Sequence, residues 1–351
     1  MTDFKVLQVE AATGNVIATL PVTGIDYSET LNAAGTCTVG VPLDAADPDT
    51  LAPGRSALVV TRDDEPDWGG ILWTASADLA GGLLTLNASG WHSYYAARYL
   101  DAAGGYDGNK DQALLLGDWI EYANAHGGIG TDTSRLTTTG RIRARKWGFS
   151  EFKNIADAIN ELADEDGGFD FRYETFWADA KRTRVGNRLL KNARVSLTFP
   201  TLTHRLDADV SAVAFDGSKL ASEAVAFGAD MGTGVKPYAI TSNWLEGPAL
   251  TQVVTYADLK ATAELIPKSA ALGAVGRQVI AIPTLDLYPG VYEPSAFLPG
   301  AHGTVNVDSG YVRLLEEFVI SERRISVDVN GTETAALSLA SKEVFVSGDS
   351  G

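Results

Sequence analysis

Along the first hundred residues, apolar and polar positions alternate in short runs. Residues 4–9 and 16–20 flank Ala12-Thr13-Gly14-Asn15, and the pattern predicts a hairpin. Thr36-Cys37-Thr38-Val39-Gly40-Val41 alternates and ends at Pro42. Residues 56–61 (S-A-L-V-V-T) predict a further strand, followed by a charged turn over 62–66. Residues 69–75 and 83–88 then pair across 78–82. Short strands with turn signals at this spacing predict a small barrel or sandwich.

The period changes beyond residue 110. D-Q-A-L-L-L-G-D-W-I-E-Y-A-N-A (111–125) puts Leu115, Trp119, Ile120 and Tyr122 near helical spacing, with Gly127-Gly128 as a stop. Ser150 is placed to cap a second helix, in which Phe152, Ile155, Ile159 and Leu162 share one face. Trp91, Tyr95 and Tyr99 also fall at helical spacing and predict a core or interface helix. Residues 169–175 alternate aromatic with charged, as a half-buried strand does.

Strands resume at 210–215 and 223–228. A helix over 257–266 is predicted to be broken or ended by Pro267. Later strands fall at 278–282, 304–307, 312–321 and 324–329, and Asn330-Gly331 turns the last one back through 332–340. The order β, α+β, β predicts an α+β, mainly β chain. It divides into a β-barrel domain (1–100), an α+β insertion (101–205) and a second β-barrel domain (206–351).

At 351 residues the chain is long enough for two or three domains. One cysteine, Cys37, excludes a disulfide framework and a cysteine-cluster metal site. The polar N-terminus and the lack of a long apolar run predict a cytoplasmically made protein with no membrane insertion. The net charge of −17 is segregated. Residues 1–134 hold 5 basic and 18 acidic side chains, residues 135–205 hold 14 and 9, and residues 206–351 hold 9 and 18. An acidic background repels nucleic acid unless a basic patch dominates locally.

No phosphate loop, dinucleotide fingerprint or zinc-protease motif occurs. Gly148-Phe149-Ser150-Glu151-Phe152 lacks the last glycine of a nucleophile elbow, and the four histidines are scattered. No catalytic residue, cofactor or metal is therefore expected. The run Asp63-Asp64-Glu65-Asp67 lacks calcium-loop spacing and is expected to be a solvated turn. Arg141, Arg143 and Arg145 occupy one face of a strand, with Ile142 and Ala144 on the other. With Trp147, Tyr173 and Trp177 they suit nucleic acid. The competing reading, an electrostatic contact to acidic side chains of this chain or of another copy, is favoured by the negative background.

In Asp67-Trp68-Gly69-Gly70-Ile71-Leu72-Trp73, two tryptophans flank a glycine pair. Along a strand Trp68 and Trp73 face opposite ways, which argues against a shared sugar platform. The glycines then mark a close backbone approach or a bulge. Trp68, Gly69, Gly70, Trp73, Trp91, Tyr95, Arg141, Arg143 and Arg145 are the candidate structural and interface residues.

The succession of "LNAAGTCTVGVPL", "DWGGILW", "GLLTLNASG", "WHSYYAARYL" and "GFSEFKNIADAINELADEDGGFDFRYE" resembles minor tail proteins of long-tailed phages of actinobacteria. Such proteins are similar to the tail-tip, or baseplate, hub family. The resemblance spans roughly residues 1–340. It implies a homotrimer whose two barrel domains per subunit form a ring continuing the tail tube. Its partners would be the distal tail protein, the tape-measure protein and other minor tail or fibre proteins, with genomic DNA passing through without specific binding. The expected location is the virion tail tip, after assembly in the host cytoplasm. Two rival functions remain: a carbohydrate-binding module using Trp68, Trp73 and Trp91 on cell-wall glycan, and a peptidoglycan hydrolase, which no motif supports.

Overall fold

In the computed structural model, residues 2–341 are described except 101–105, 165–167, 193–195, 231, 233, 257–260 and 289. The chain forms two compact units. One comprises Met1–Ser196, Asp286–Ala301 and Ile320–Leu337; the other comprises Leu197–Leu285, His302–Val319 and Ser338–Gly351. The fold is mainly β, with strands in several sheets.

The first unit opens with β1 (Phe4–Glu10), β2 (Val16–Leu20), β3 (Gly24–Thr30), β4 (Thr36–Pro42), β5 (Ser56–Arg62), β6 (Glu65–Asp78) and β7 (Leu83–Gly90). They pair antiparallel in the order β3-β4-β7-β6-β5-β1-β2. β5 is buried on both sides, which is why S-A-L-V-V-T carries no polar alternation. β3 has no comparable signal: Ser28 and Glu29 sit at enclosed positions and break its apolar pattern. The charged turn is a tight hairpin in which Asp63 (φ 50°) and Asp64 (φ 65°) both take left-handed backbone.

The helix expected over 91–99 is one turn, α1 (His92–Tyr95), after which β8 (Tyr99–Leu100) begins. Its aromatic side chains are held by separate partners rather than by one helical face. Next come β9 (Tyr106–Asp111), α2 (Gln112–Ala125) and β10 (Ile142–Trp147). Asp111 caps α2 through Ala113 N (2.9 Å), and Gly127 turns left-handed just beyond its end. β11 (Lys153–Asn154) leads into α3 (Ile155–Asp164). The cap of α3 is Asn154, whose Oδ1 accepts from Asp157 N (3.2 Å), and not Ser150. Phe152 has φ 45° and lies outside the helix, so it leaves the apolar face formed by Ile155, Ile159 and Leu162. β12 (Asp170–Trp177) and β13 (Val185–Asn192) form an antiparallel ribbon. Leu115, Leu116, Trp119 and Ile120 of α2 pack with Ile155, Ile159 and Leu162 of α3 and with Phe171.

The second unit contains β14 (Leu197–Thr198), β15 (Leu202–Thr203), β16 (Ala208–Asp216), β17 (Glu223–Phe227), β18 (Tyr238–Ser242), β19 (Thr251–Thr255) and α4 (Thr262–Val275). The helix expected to be broken or ended by Pro267 runs through it; of the expected span, 257–260 lie outside the described residues. Then follow β20 (Ile280–Leu287), β21 (Ala301–Ser309), β22 (Val312–Val327) and β23 (Glu333–Ser341). β22 is one long strand where the pattern suggests two. Its residues 312–319 pair with β21 in the second unit, and its residues 322–327, which belong to the first unit, pair there with β3. Gly331 (φ 77°) turns β22 into β23.

Candidate functional site

In the first unit, the seam where β6 meets α1 and β12 collects five of the candidate residues. Trp68 is buried, and its Nε1 donates to Ser28 O (2.9 Å). A Cβ on Gly69 would stand 2.8 Å from Cζ2 of Trp91 and 2.7 Å from Oγ1 of Thr175. The missing side chain is therefore the space that the Trp91 indole fills. Trp91 Nε1 donates to Thr175 Oγ1 (2.9 Å), which satisfies both groups inside the seam. A Cβ on Gly70 would lie 2.2 Å from Ser89 O and 2.8 Å from Gly90 Cα, so that glycine admits the β7 backbone itself. Tyr95 is fully buried and donates to Thr131 Oγ1 (2.6 Å), which donates on to Asn187 Oδ1 (2.5 Å).

Trp73 sits at a register irregularity between Leu72 and Thr74, is 37% exposed and donates to Ser93 Oγ (2.8 Å). Burial of Trp68 and Trp91 removes them from any glycan-facing surface. His92 packs on Phe171 (ring centroids 4.9 Å apart), and burial lowers its imidazole pKa to about 4, against a smaller opposing effect of Asn160.

A charged cluster adjoins Trp68 in sequence. Arg323 is buried, and its Nη2 donates to Glu29 (2.7 Å) and Asp67 (3.3 Å), while Tyr27 OH donates to Asp67 (2.5 Å). Burial pushes the Glu29 carboxyl above its ordinary range, and the Arg323 charge opposes that rise. Asp67 is thus a member of a buried network and not a solvated turn residue. Arg62 likewise bridges Glu293 (2.8 Å) and Glu333 (3.1 Å). The sequence carries no local sign of either cluster, since each arginine lies more than two hundred residues from the carboxylates it pairs with.

Arg143 and Arg145 are on β10, which pairs with β9 as a separate ribbon, and Arg141 precedes it. The half-buried side of β10 carries Arg143, Arg145 and Trp147, while Ile142 faces outward. Elsewhere the basic segment meets acids of its own unit: Lys146 with Asp107 (2.8 Å), Arg188 with Asp132 (2.6 Å), and Arg182 with Glu65. A cavity of about 350 Å³, with Arg55, Asp49, Ile71, Tyr94 and Ile129 in its wall, lies in the same unit. Among the described residues no group of three His, Cys, Asp or Glu side chains is placed to hold a metal ion.

No protein-family model matches the sequence, and no curated protein matches it. Solved structures do match its fold over nearly the full length. The 43 kDa tail protein of prophage MuSo2 from Shewanella oneidensis superposes with a TM-score of 0.68 at 13% identity, covering 97% of this chain and 98% of that one. A tail protein from Neisseria meningitidis MC58 gives 0.62 at 12% identity, with 98% of each chain covered. Prophage tail protein gp18 from Listeria monocytogenes EGD-e gives 0.57 at 12% identity, covering 96% and 94%. The chain has the fold of phage tail proteins.

Proposed function

We propose that this chain is a structural virion protein of a phage tail tip, a hub without catalytic activity. The observation that carries the proposal is the end-to-end match in fold to tail proteins, with neither chain leaving a large unmatched domain. In this reading three copies form a ring that continues the tail tube of a long-tailed actinobacteriophage. The distal tail protein, the tape-measure protein and further minor tail or fibre proteins are its neighbours. Residues 1–100 and 206–351 supply the ring domains, and 101–205 the insertion. The acid-rich segments 1–134 and 206–351 suit a conduit through which DNA slides without sticking. The test is mass measurement by sedimentation across a concentration series, with and without the adjacent tail proteins. A trimer, or a trimer formed on co-assembly, is expected. A chain that stays monomeric and binds none of those neighbours overturns the reading.

A further inference from the structure

The cavity of about 350 Å³ in the first unit is a socket with an apolar floor and a charged rim. Ile71 and Ile129 are buried in the floor and belong to a core cluster of that unit. Tyr94 lines it half-buried, and its hydroxyl already donates to Gly127 O (3.2 Å), which leaves the ring as apolar wall. The rim carries both signs. Glu10 and Asp49 stand there with Arg55, and all three are exposed. Glu10 accepts from the Thr13 hydroxyl, but none of the three joins an ion pair among the described residues. An apolar floor under such a rim suits a large side chain that arrives between charges of its own.

The second unit presents a knob of that kind. The β21–β22 register pairs Ser309 with Val312, which leaves Gly310 and Tyr311 as a two-residue hairpin loop. Gly310 takes φ 59°, the left-handed backbone such loops use. Tyr311 at the tip is 91% exposed, the highest value for a large apolar side chain among the described residues. Its ring meets the exposed Phe215 edge-on at 5.8 Å. Behind the tip, Asp308 faces Arg313 across the hairpin. These side chains approach to 3.8 Å and are 84% and 85% exposed, so water screens the pair and either partner can exchange it at little cost. The charges of knob and rim are complementary: Arg313 answers Asp49 and Glu10, and Asp308 answers Arg55. Trp244 is also strongly exposed, but residues 238–250 hold no Lys or Arg to meet the two carboxylates. We propose that Tyr311 of one copy of this chain enters the cavity of a second copy, with Arg313 beside Asp49 and Asp308 beside Arg55. Two unlike surfaces meet head-to-tail, and such contacts can close into a ring. This contact rests on the trimeric reading above and supplies its interface.

The test is crosslinking of full-length chains with a short bismaleimide, alone and with the adjacent tail proteins. Cys37 is buried, so introduced cysteines are the reactive ones. Ser309→Cys sits at the hairpin tip and Ala12→Cys at the cavity, both exposed. The two single variants, mixed while dilute and then concentrated, are expected to give a covalent product containing one of each. Neither variant alone should match that yield. Adding Tyr311→Ser is expected to lower the yield roughly tenfold. Arg313→Glu should lower it too, and Asp49→Arg in the partner should restore it. Tyr311 and Arg313 are exposed, so thermal melting should be kept. No mixed product, a single variant that crosslinks as well as the mixture, indifference to Tyr311→Ser, or failure of the charge exchange overturns the proposal. Sedimentation of the same samples separates the two readings. A trimer without the mixed product removes this contact and leaves the hub standing. A chain that is monomeric with and without its neighbours removes both.

Discussion

The β6 seam of the first unit and the three-stranded sheet of the second bury their side chains in opposite ways. In the seam, large aromatics face inward and glycines make room: Trp91 fills the place of a Gly69 side chain and meets Thr175. In the second unit β17 is flanked by β18 and β19, and α4 covers one face. That covered face is built from Ala224, Ala226 and Ala239, and Gly273 of α4 comes so close that a Cβ would be 2.7 Å from Thr241 Cγ2. The bulky residues of the sheet lie on the other face, where Tyr238, Ile240 and Val253 are 53%, 50% and 55% exposed. Aromatic density thus marks a closed interior in one unit. In the other, small residues mark the closed side and large ones the open side.

The comparison breaks first at Gly70. Its nearest neighbours are backbone atoms of Ser89 and Gly90, which cannot rotate away. Gly70→Val is expected to cost about 4 kcal/mol or more. Gly69→Ala meets side-chain atoms of Trp91 and Thr175 and should cost about 1–3 kcal/mol. Chemical denaturation of both variants measures the gap. Equal and small losses would mean that the seam is not closed by backbone contact.

Next is Arg323. Its removal strands Glu29 and Asp67 in a buried site, and Arg323→Met is expected to cost about 3–5 kcal/mol by the same measurement. A loss below about 1 kcal/mol would show the carboxylates to be solvated or protonated once the guanidinium is gone.

These two sites differ in how far sequence pattern reaches. The glycine pair advertises a close approach or a bulge, because a strand interior otherwise loses by giving up two side chains, but Thr175 as the far wall is invisible at that range. Asn330-Gly331 and the 112–125 helix are legible because turn chemistry and capping are local. β3 is hidden because Glu29 stands where an apolar residue is expected, and its partner Arg323 is 294 residues away. The long aromatic run at 91–99 misleads for a related reason. Trp91, Tyr95 and Tyr99 fit a helix by spacing, yet the first two are fixed by Thr175 and Thr131 and the third joins β8.

His92 sharpens the closed side of the comparison through pH. Its folded pKa of about 4 is below the ordinary 6.5 because burial penalises the charged ring. As pH falls from 6.5 to 4, the unfolded chain binds a proton that the folded chain refuses, so stability falls by up to about 3 kcal/mol and then levels off. Glu29 works the other way. Its raised pKa favours the folded state at low pH, and that contribution is lost as pH rises through the folded value. The His92→Gln variant isolates the histidine: stability against pH should become flatter between 6.5 and 4. An unchanged slope would mean that the imidazole reaches water.

The smallest effect belongs to the open face. Ile240 is flanked across β17 by Val225, which in turn registers with Val253. Half of the Ile240 side chain already meets water, and a lysine at an exposed strand position can lay its stem along the same neighbours while its ammonium stays solvated. Ile240→Lys is therefore expected to change the stability of the single chain by no more than about 0.5 kcal/mol. On the covered face, Ala226→Lys would drive a charge under α4 and cost several times that amount, about 2 kcal/mol or more. Melting of both variants at a concentration where the chain is monomeric measures the asymmetry between the faces. Comparable losses would mean that Ile240 is enclosed in the single chain after all, and the contrast between an inward-facing and an outward-facing sheet would disappear.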